Sequence, residues 1–130
     1  MEQTASKRKT VLIVEDETAL LFALQAELSY AGFQVLVAST GDEGLKTCQT
    51  EKPDLVVLDL MLPGKDGFAI LQEMQKDQEL AKIPVIVVSN LGEVKDIDRA
   101  RALGARDYLV KSNYSLESIQ ERIKEILNQT

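Results

Sequence analysis

At 130 residues, 45% hydrophobic and 28% charged, the chain has the size and balance of one globular domain that can bury a core without disulfides. Its 21 acidic and 15 basic residues leave a net charge of −6, which argues against the clustered basic surface that nucleic-acid backbones require. The absence of histidine excludes imidazole catalysis and a phosphohistidine-carrier role, and the lone Cys48 excludes internal disulfides and cysteine metal sites.

Met1 to Lys9 is polar and basic, and is expected to be a flexible tail (residues 1–9) before a single domain over 10–130. No segment approaches the roughly 18 apolar residues needed to span a bilayer, and the first apolar run is too short for a signal sequence. The expectation is a cytoplasmic protein without membrane insertion. Val11 to Val14 read as the first strand. Asp16 is placed to cap the next helix, where Leu20, Leu21, Leu24 and Leu28 mark one face and Gly32 ends it. Phe33 to Ala38, partly alternating, read as a strand near a sheet edge. Thr40-Gly-Asp-Glu43 has the capping-box pattern that opens a second helix, with Leu45 and Cys48 facing inward.

Leu55 to Leu58 is an apolar run of the kind buried on both faces of a parallel sheet. After the loop of Pro63, Gly64 and Gly67, a third helix turns Ile70, Leu71 and Met74 inward. Pro84 starts the fourth strand, whose apolar run is Val85 to Val88. A fourth helix over roughly Val94 to Leu103 carries a thin stripe of Val94, Ile97, Ala100 and Leu103. Gly104-Ala105 precedes a short strand ending at Val110, and Ser115 caps a last helix facing inward through Leu116, Ile119, Ile123, Ile126 and Leu127. Alternating strands and helices predict an α/β fold, a parallel sheet covered on both faces.

Ligands on open α/β sheets bind beyond the carboxyl ends of the strands. The first strand ends in Glu15-Asp16, the third in Asp59, the fourth in Ser89 and the fifth in Lys111. Gathered carboxylates repel one another, and hard oxygen donors at an open site favour Mg²⁺, with Mn²⁺ as the alternative. Asp16 and Asp59 suit direct ligation, Glu15 ligation through a water, and the Met61 carbonyl can complete the shell. A carboxylate beside such a cation can accept a phosphoryl group, with Lys111 and Ser89 stabilising its oxygens. The chain has neither a Walker-type loop nor a GxGxxG turn, so the phosphoryl donor must be another molecule. Each residue also has a plainer reading. Asp59 can cap a loop, Glu15-Asp16 can start a helix, Lys111 can be solvated and Ser89 can be a turn residue.

The set Glu15-Asp16, Asp59 with Pro63-Gly64 and Gly67, Ser89, Gly104-Ala105, and Tyr108 three residues before Lys111 resembles the receiver domain of two-component response regulators. The likeness runs from Lys9 to about Asn128 and extends to the stand-alone, single-domain members, which the chain is similar to. It implies a five-stranded flavodoxin-like sheet in the order 2-1-3-4-5 with five helices. It also implies a phosphorelay in which Asp59 takes a phosphoryl group from the phosphohistidine of a sensor histidine kinase or phosphotransfer protein. Ser89 and Tyr108 then switch the face that binds a downstream protein target. Such a domain catalyses only its own phosphorylation and dephosphorylation, as a monomer or a phosphorylation-dependent dimer. The family usually has proline after the lysine, with a cis bond; Ser112 stands here, so the bond is either strained or trans. Met61 and Leu91 are expected to hinder water and prolong the phosphorylated state. The alternatives are an interaction module that works without phosphorylation, and a phosphohydrolase of the haloacid dehalogenase type. The second Asp that such hydrolases need is replaced by Met61.

Overall fold

The computed structural model describes residues 8–128, so the expected tail lies mostly outside the described residues. Five strands alternate with five helices: β1 (Thr10–Val14), α1 (Thr18–Tyr30), β2 (Gln34–Ala38), α2 (Gly41–Glu51), β3 (Leu55–Leu58), α3 (Gly67–Gln75), β4 (Val85–Ser89), α4 (Val94–Ala102), β5 (Asp107–Val110) and α5 (Leu116–Asn128). Short 3-10 turns follow α3 at Leu80–Lys82 and β5 at Lys111–Asn113. All pairings are parallel and the strand order is β2-β1-β3-β4-β5, the doubly wound flavodoxin-like arrangement expected. None of the helices among the described residues is long and apolar enough to cross a membrane.

The central strands are buried along both faces, which explains their unbroken apolar runs. Side chains alternate between two layers. Leu12, Val14, Val56, Leu58 and Val87 face α2, α3 and α4, while Val11, Ile13, Leu55, Val57, Ile86 and Val88 face α1 and α5. Each fully buried aliphatic side chain contributes about 1.5–3 kcal/mol by leaving water. The sheet is therefore a stiff platform for whatever stands at its carboxyl rim. The edge strand β2 is only partly covered, in keeping with its weaker pattern.

Local signals resolve in three ways. At Gly32 the chain leaves α1 with φ +102°, and Phe33 donates back to the Leu28 carbonyl, so glycine ends the helix as expected. The capping box forms with one change: Thr40 Oγ1 accepts from Glu43 N–H at 3.2 Å, but Glu43 Oε1 accepts from Ser39 N–H at 2.8 Å rather than from Thr40. Asp16 does not cap α1. The helix starts later, with Glu17 at the N-cap position and no side-chain cap, so both acids remain at the sheet rim.

Two further expectations meet different fates. In α4 only Ala100 is fully buried and Val94 is 72% exposed, so the stripe loses its first member and the helix rests on the sheet mainly by its second half. Cys48 is buried against the inner layer as expected, and burial pushes its thiol up to about 11. At pH 8 a disulfide reagent should therefore react at least about 100-fold more slowly with the folded protein than with the urea-unfolded chain. Equal rates, followed by thiol release, would contradict this burial.

Candidate functional site

Register carries the site residues to one level. Val14 pairs with Leu58, so Glu15 and Asp59 leave adjacent strands together. Ser89 pairs with Val110, so Lys111 follows directly beside it. Asp59 N–H donates to the Val14 carbonyl and Glu15 N–H to Ala38, extending the sheet's hydrogen bonding one residue into the rim. The loop after Asp59 then turns sharply against itself. Gly67 N–H reaches the Leu60 carbonyl, and a Cβ at Gly67 would stand 2.5 Å from the Asp59 carbonyl oxygen and 2.6 Å from Leu60 Cα. Only glycine fits there, and Asp66 caps α3 through Ala69 N–H just before it.

Asp59 and Glu15 are 4% and 3% exposed, an unusual depth for two carboxylates. What makes this tolerable is Lys111, whose ammonium lies 2.8 Å from Asp59 Oδ2 and 2.9 Å from Glu15 Oε1. Their remaining oxygens are also held: Asp59 Oδ1 accepts from Met61 N–H at 3.1 Å, and Glu15 Oε2 from Glu17 N–H at 3.0 Å. Burial, despite these bonds, leaves the Glu15 carboxyl above its ordinary value. For Lys111 burial pulls downward, but the hydrogen bonds and charges of Asp59 and Glu15 outweigh it and hold the ammonium above its usual range.

Asp16 adds an exposed carboxylate. One ligand oxygen from each of Glu15, Asp16 and Asp59 lies within 4.8 Å of the others. The donors are all hard oxygens on a site open to solvent at Asp16, so the set suits a small divalent cation far better than a soft one. One ammonium balances only part of this charge.

Ser89 is fully buried at the end of β4, and its Oγ lies 3.4 Å from Leu91 N–H. The Tyr108 ring is buried too, with its hydroxyl donating to the Leu91 carbonyl. Burial first, then the charges of Asp96 and Asp59, push the phenol above its ordinary value. The structure therefore groups Glu15, Asp16, Asp59 and Lys111 directly, and brings Ser89 and Tyr108 together both at the Leu91 backbone and through the Ser89 hydroxyl, which partly opposes the rise of the phenol. Met61 contributes its N–H to Asp59 while its side chain is 55% exposed. No peptide bond among the described residues is cis, so the Lys111–Ser112 bond is trans.

Sequence reasoning missed three contacts around this nest. Glu17 approaches Lys111 at 3.5 Å. Lys65 in the Asp59 loop bridges Asp42 of α2 and Glu73 of α3. Arg99 of α4 stacks over the Phe68 ring of α3, its guanidinium carbon 4.1 Å from the ring centre. The only signal for Glu17 was its place directly after the acidic pair; the other two contacts cross between elements and leave no local pattern.

Comparison with known proteins agrees with this geometry. The family model described as "Response regulator receiver domain" matches residues 11–124. The "Probable transcriptional regulator ycf27" of Cyanophora paradoxa is 39% identical over 95% of this chain and 50% of its own length. The alkaline phosphatase synthesis transcriptional regulatory protein PhoP of Bacillus subtilis is 37% identical over 94% of this chain and 50% of its own. The chain thus spans about half the length of the curated relatives it matches. Among solved structures, a response regulator receiver domain protein (CheY-like) from Methanospirillum hungatei superposes with TM-score 0.87 at 28% identity, covering 95% of this chain and 96% of that one. The receiver domain of the Francisella response regulator 1452 gives TM-score 0.86 at 26% identity, over 94% and 98%.

Proposed function

This chain belongs to the response regulator receiver domain family, and from that premise we propose that Asp59 is the acceptor of a phosphoryl group delivered by the phosphohistidine of a sensor histidine kinase or a phosphotransfer protein. The observation that carries this reading is the Lys111 ammonium held between buried Asp59 and Glu15 at the sheet rim. An Asp59 oxygen attacks phosphorus, the P–N bond to the donor imidazole breaks, and the imidazole nitrogen keeps the electron pair. Lys111 faces the incoming equatorial oxygens with fixed positive charge, and Met61 N–H holds the acceptor carboxylate in place. With Asp16, Asp59 and the Met61 carbonyl as its ligands and Glu15 acting through a water, Mg²⁺ (or Mn²⁺) would supply the further positive charge that phosphoryl transfer needs.

The switch runs through Leu91. A Ser89 hydroxyl that turns to a phosphoryl oxygen leaves Leu91 N–H, and the carbonyl of Leu91 is where Tyr108 is anchored. A new charge at Asp59 thereby biases the surface of α4, β5 and α5, where α4 is the least buried helix. That surface is proposed to serve a downstream protein, with the domain a monomer or a dimer formed on phosphorylation, in the cytoplasm. The transcriptional roles named for the relatives belong to proteins about twice as long as this chain.

Incubation with acetyl phosphate and Mg²⁺ should add one acid-stable, base-labile phosphate by intact mass. No incorporation would favour the module that works without phosphorylation, and steady phosphate release from monoesters would favour a hydrolase. The exposed Met61 side chain beside Asp59 should slow water attack. Met61→Asn is accordingly expected to shorten the phosphorylated state's lifetime about three- to tenfold, measured by loss of label after donor removal.

A further inference from the structure

Glu17 occupies the N-cap position of α1 without using its side chain as a cap. Its carboxylate turns instead toward the rim, 3.5 Å from the Lys111 ammonium and outside the buried pair formed by Glu15 and Asp59. Its side chain is 59% exposed against 4% for each of their side chains, so it is the outermost of the three acids on that one lysine. An ion pair this exposed adds little to stability. Its consequence is electrostatic: a negative charge at the mouth through which any phosphoryl donor must reach Asp59, and a competing anchor for the cation that would receive the phosphoryl oxygens.

We propose that Glu17 is a specificity-determining residue of the phosphoryl-accepting site, one that disfavours small donors in proportion to their negative charge and competes with the incoming phosphoryl oxygens for the Lys111 ammonium. This rests on the reading of Asp59 as phosphoacceptor. The step concerned is attack of an Asp59 carboxylate oxygen on the phosphorus of acetyl phosphate. The bond from phosphorus to the bridging oxygen breaks, and acetate leaves with that electron pair. Both effects of Glu17 act in one direction. Without its charge the donor meets less repulsion, and Lys111 has one carboxylate fewer to satisfy.

The test compares Glu17→Gln with the unaltered protein and with Glu51→Gln, which removes an exposed charge at the far end of α2. Near pH 7 acetyl phosphate carries about two negative charges and phosphoramidate about one, so the pair reads donor charge directly. Glu17→Gln should accelerate phosphorylation by acetyl phosphate about three- to tenfold at low salt and by phosphoramidate distinctly less, and both gains should shrink as ionic strength rises. The Lys111 ammonium resonance should move in Glu17→Gln and stay in place in Glu51→Gln. Equal acceleration with both donors, a salt-independent effect, no acceleration, or an unmoved Lys111 resonance would each overturn the assignment to Glu17 while leaving Asp59 as acceptor. Failure of the unaltered protein to take phosphate from either donor would instead remove the acceptor reading, and this inference with it.

Discussion

Asp59→Asn is expected to abolish phosphate incorporation, a fall of at least about a thousandfold, because an amide oxygen is not a usable nucleophile and keeps no negative charge for the cation. The same change should leave the fold intact. The substituted side chain's amide oxygen can still accept from Met61 N–H, and Lys111 retains Glu15 at 2.9 Å and Glu17 at 3.5 Å. It also removes one of three crowded carboxylates, so the unfolding free energy from a urea melt should stay within about 1 kcal/mol of the parent or rise. Intact mass after acetyl phosphate treatment and a urea melt read the two halves separately. Undiminished labelling of the variant would mean that another side chain is the acceptor.

Gly67→Ala should be nearly as damaging by a different route. The added methyl would lie 2.5 Å from the Asp59 carbonyl oxygen and 2.6 Å from Leu60 Cα, both backbone atoms that cannot rotate away. Relief requires the loop to move, at a cost of about 2–3 kcal/mol. The displaced atoms belong to Asp59, the proposed acceptor, and to its neighbour, so phosphorylation should fall at least about tenfold in protein that is still folded. Gly92→Ala is the matched control. A Cβ there meets only Val110 methyls at 3.6 Å, ordinary contact, and stability should change by less than about 0.5 kcal/mol. A Gly67→Ala protein with parental stability and labelling would show that the loop is more pliable than this packing allows.

How much of this was legible in the sequence depends on whether the cause was local. The runs Val11 to Val14, Leu55 to Leu58 and Val85 to Val88 announce strands because a parallel sheet buries both faces, and the polar residue that ends each run marks the rim. Asp59, Glu15 and Asp16 were legible for that reason. Lys111, 52 residues from Asp59, was placed only by counting strands, and its shared contact with Glu15 is a product of register. The misassigned cap at Asp16 arose because Asp is a favoured capping residue, while the backbone stays extended through Glu17, whose N–H donates to the Glu15 carboxylate. Val94 was misplaced since a thin stripe fixes a helix's face poorly, and α4 is held partly by the Arg99–Phe68 contact, which no periodicity reports. The capping box was readable as a pattern, but the loop's path decided that Ser39 rather than Thr40 donates to Glu43.

The most direct measurement follows backbone amide resonances while Mg²⁺ and then beryllofluoride, a phosphoryl mimic, are added to the unmodified protein. Saturable shifts at Met61, Leu91 and Lys111, spreading to Tyr108 and α4 and absent in Asp59→Asn, are the expected result. Unchanged spectra at those positions under saturating additions would contradict a phosphoryl-accepting role for the acidic rim.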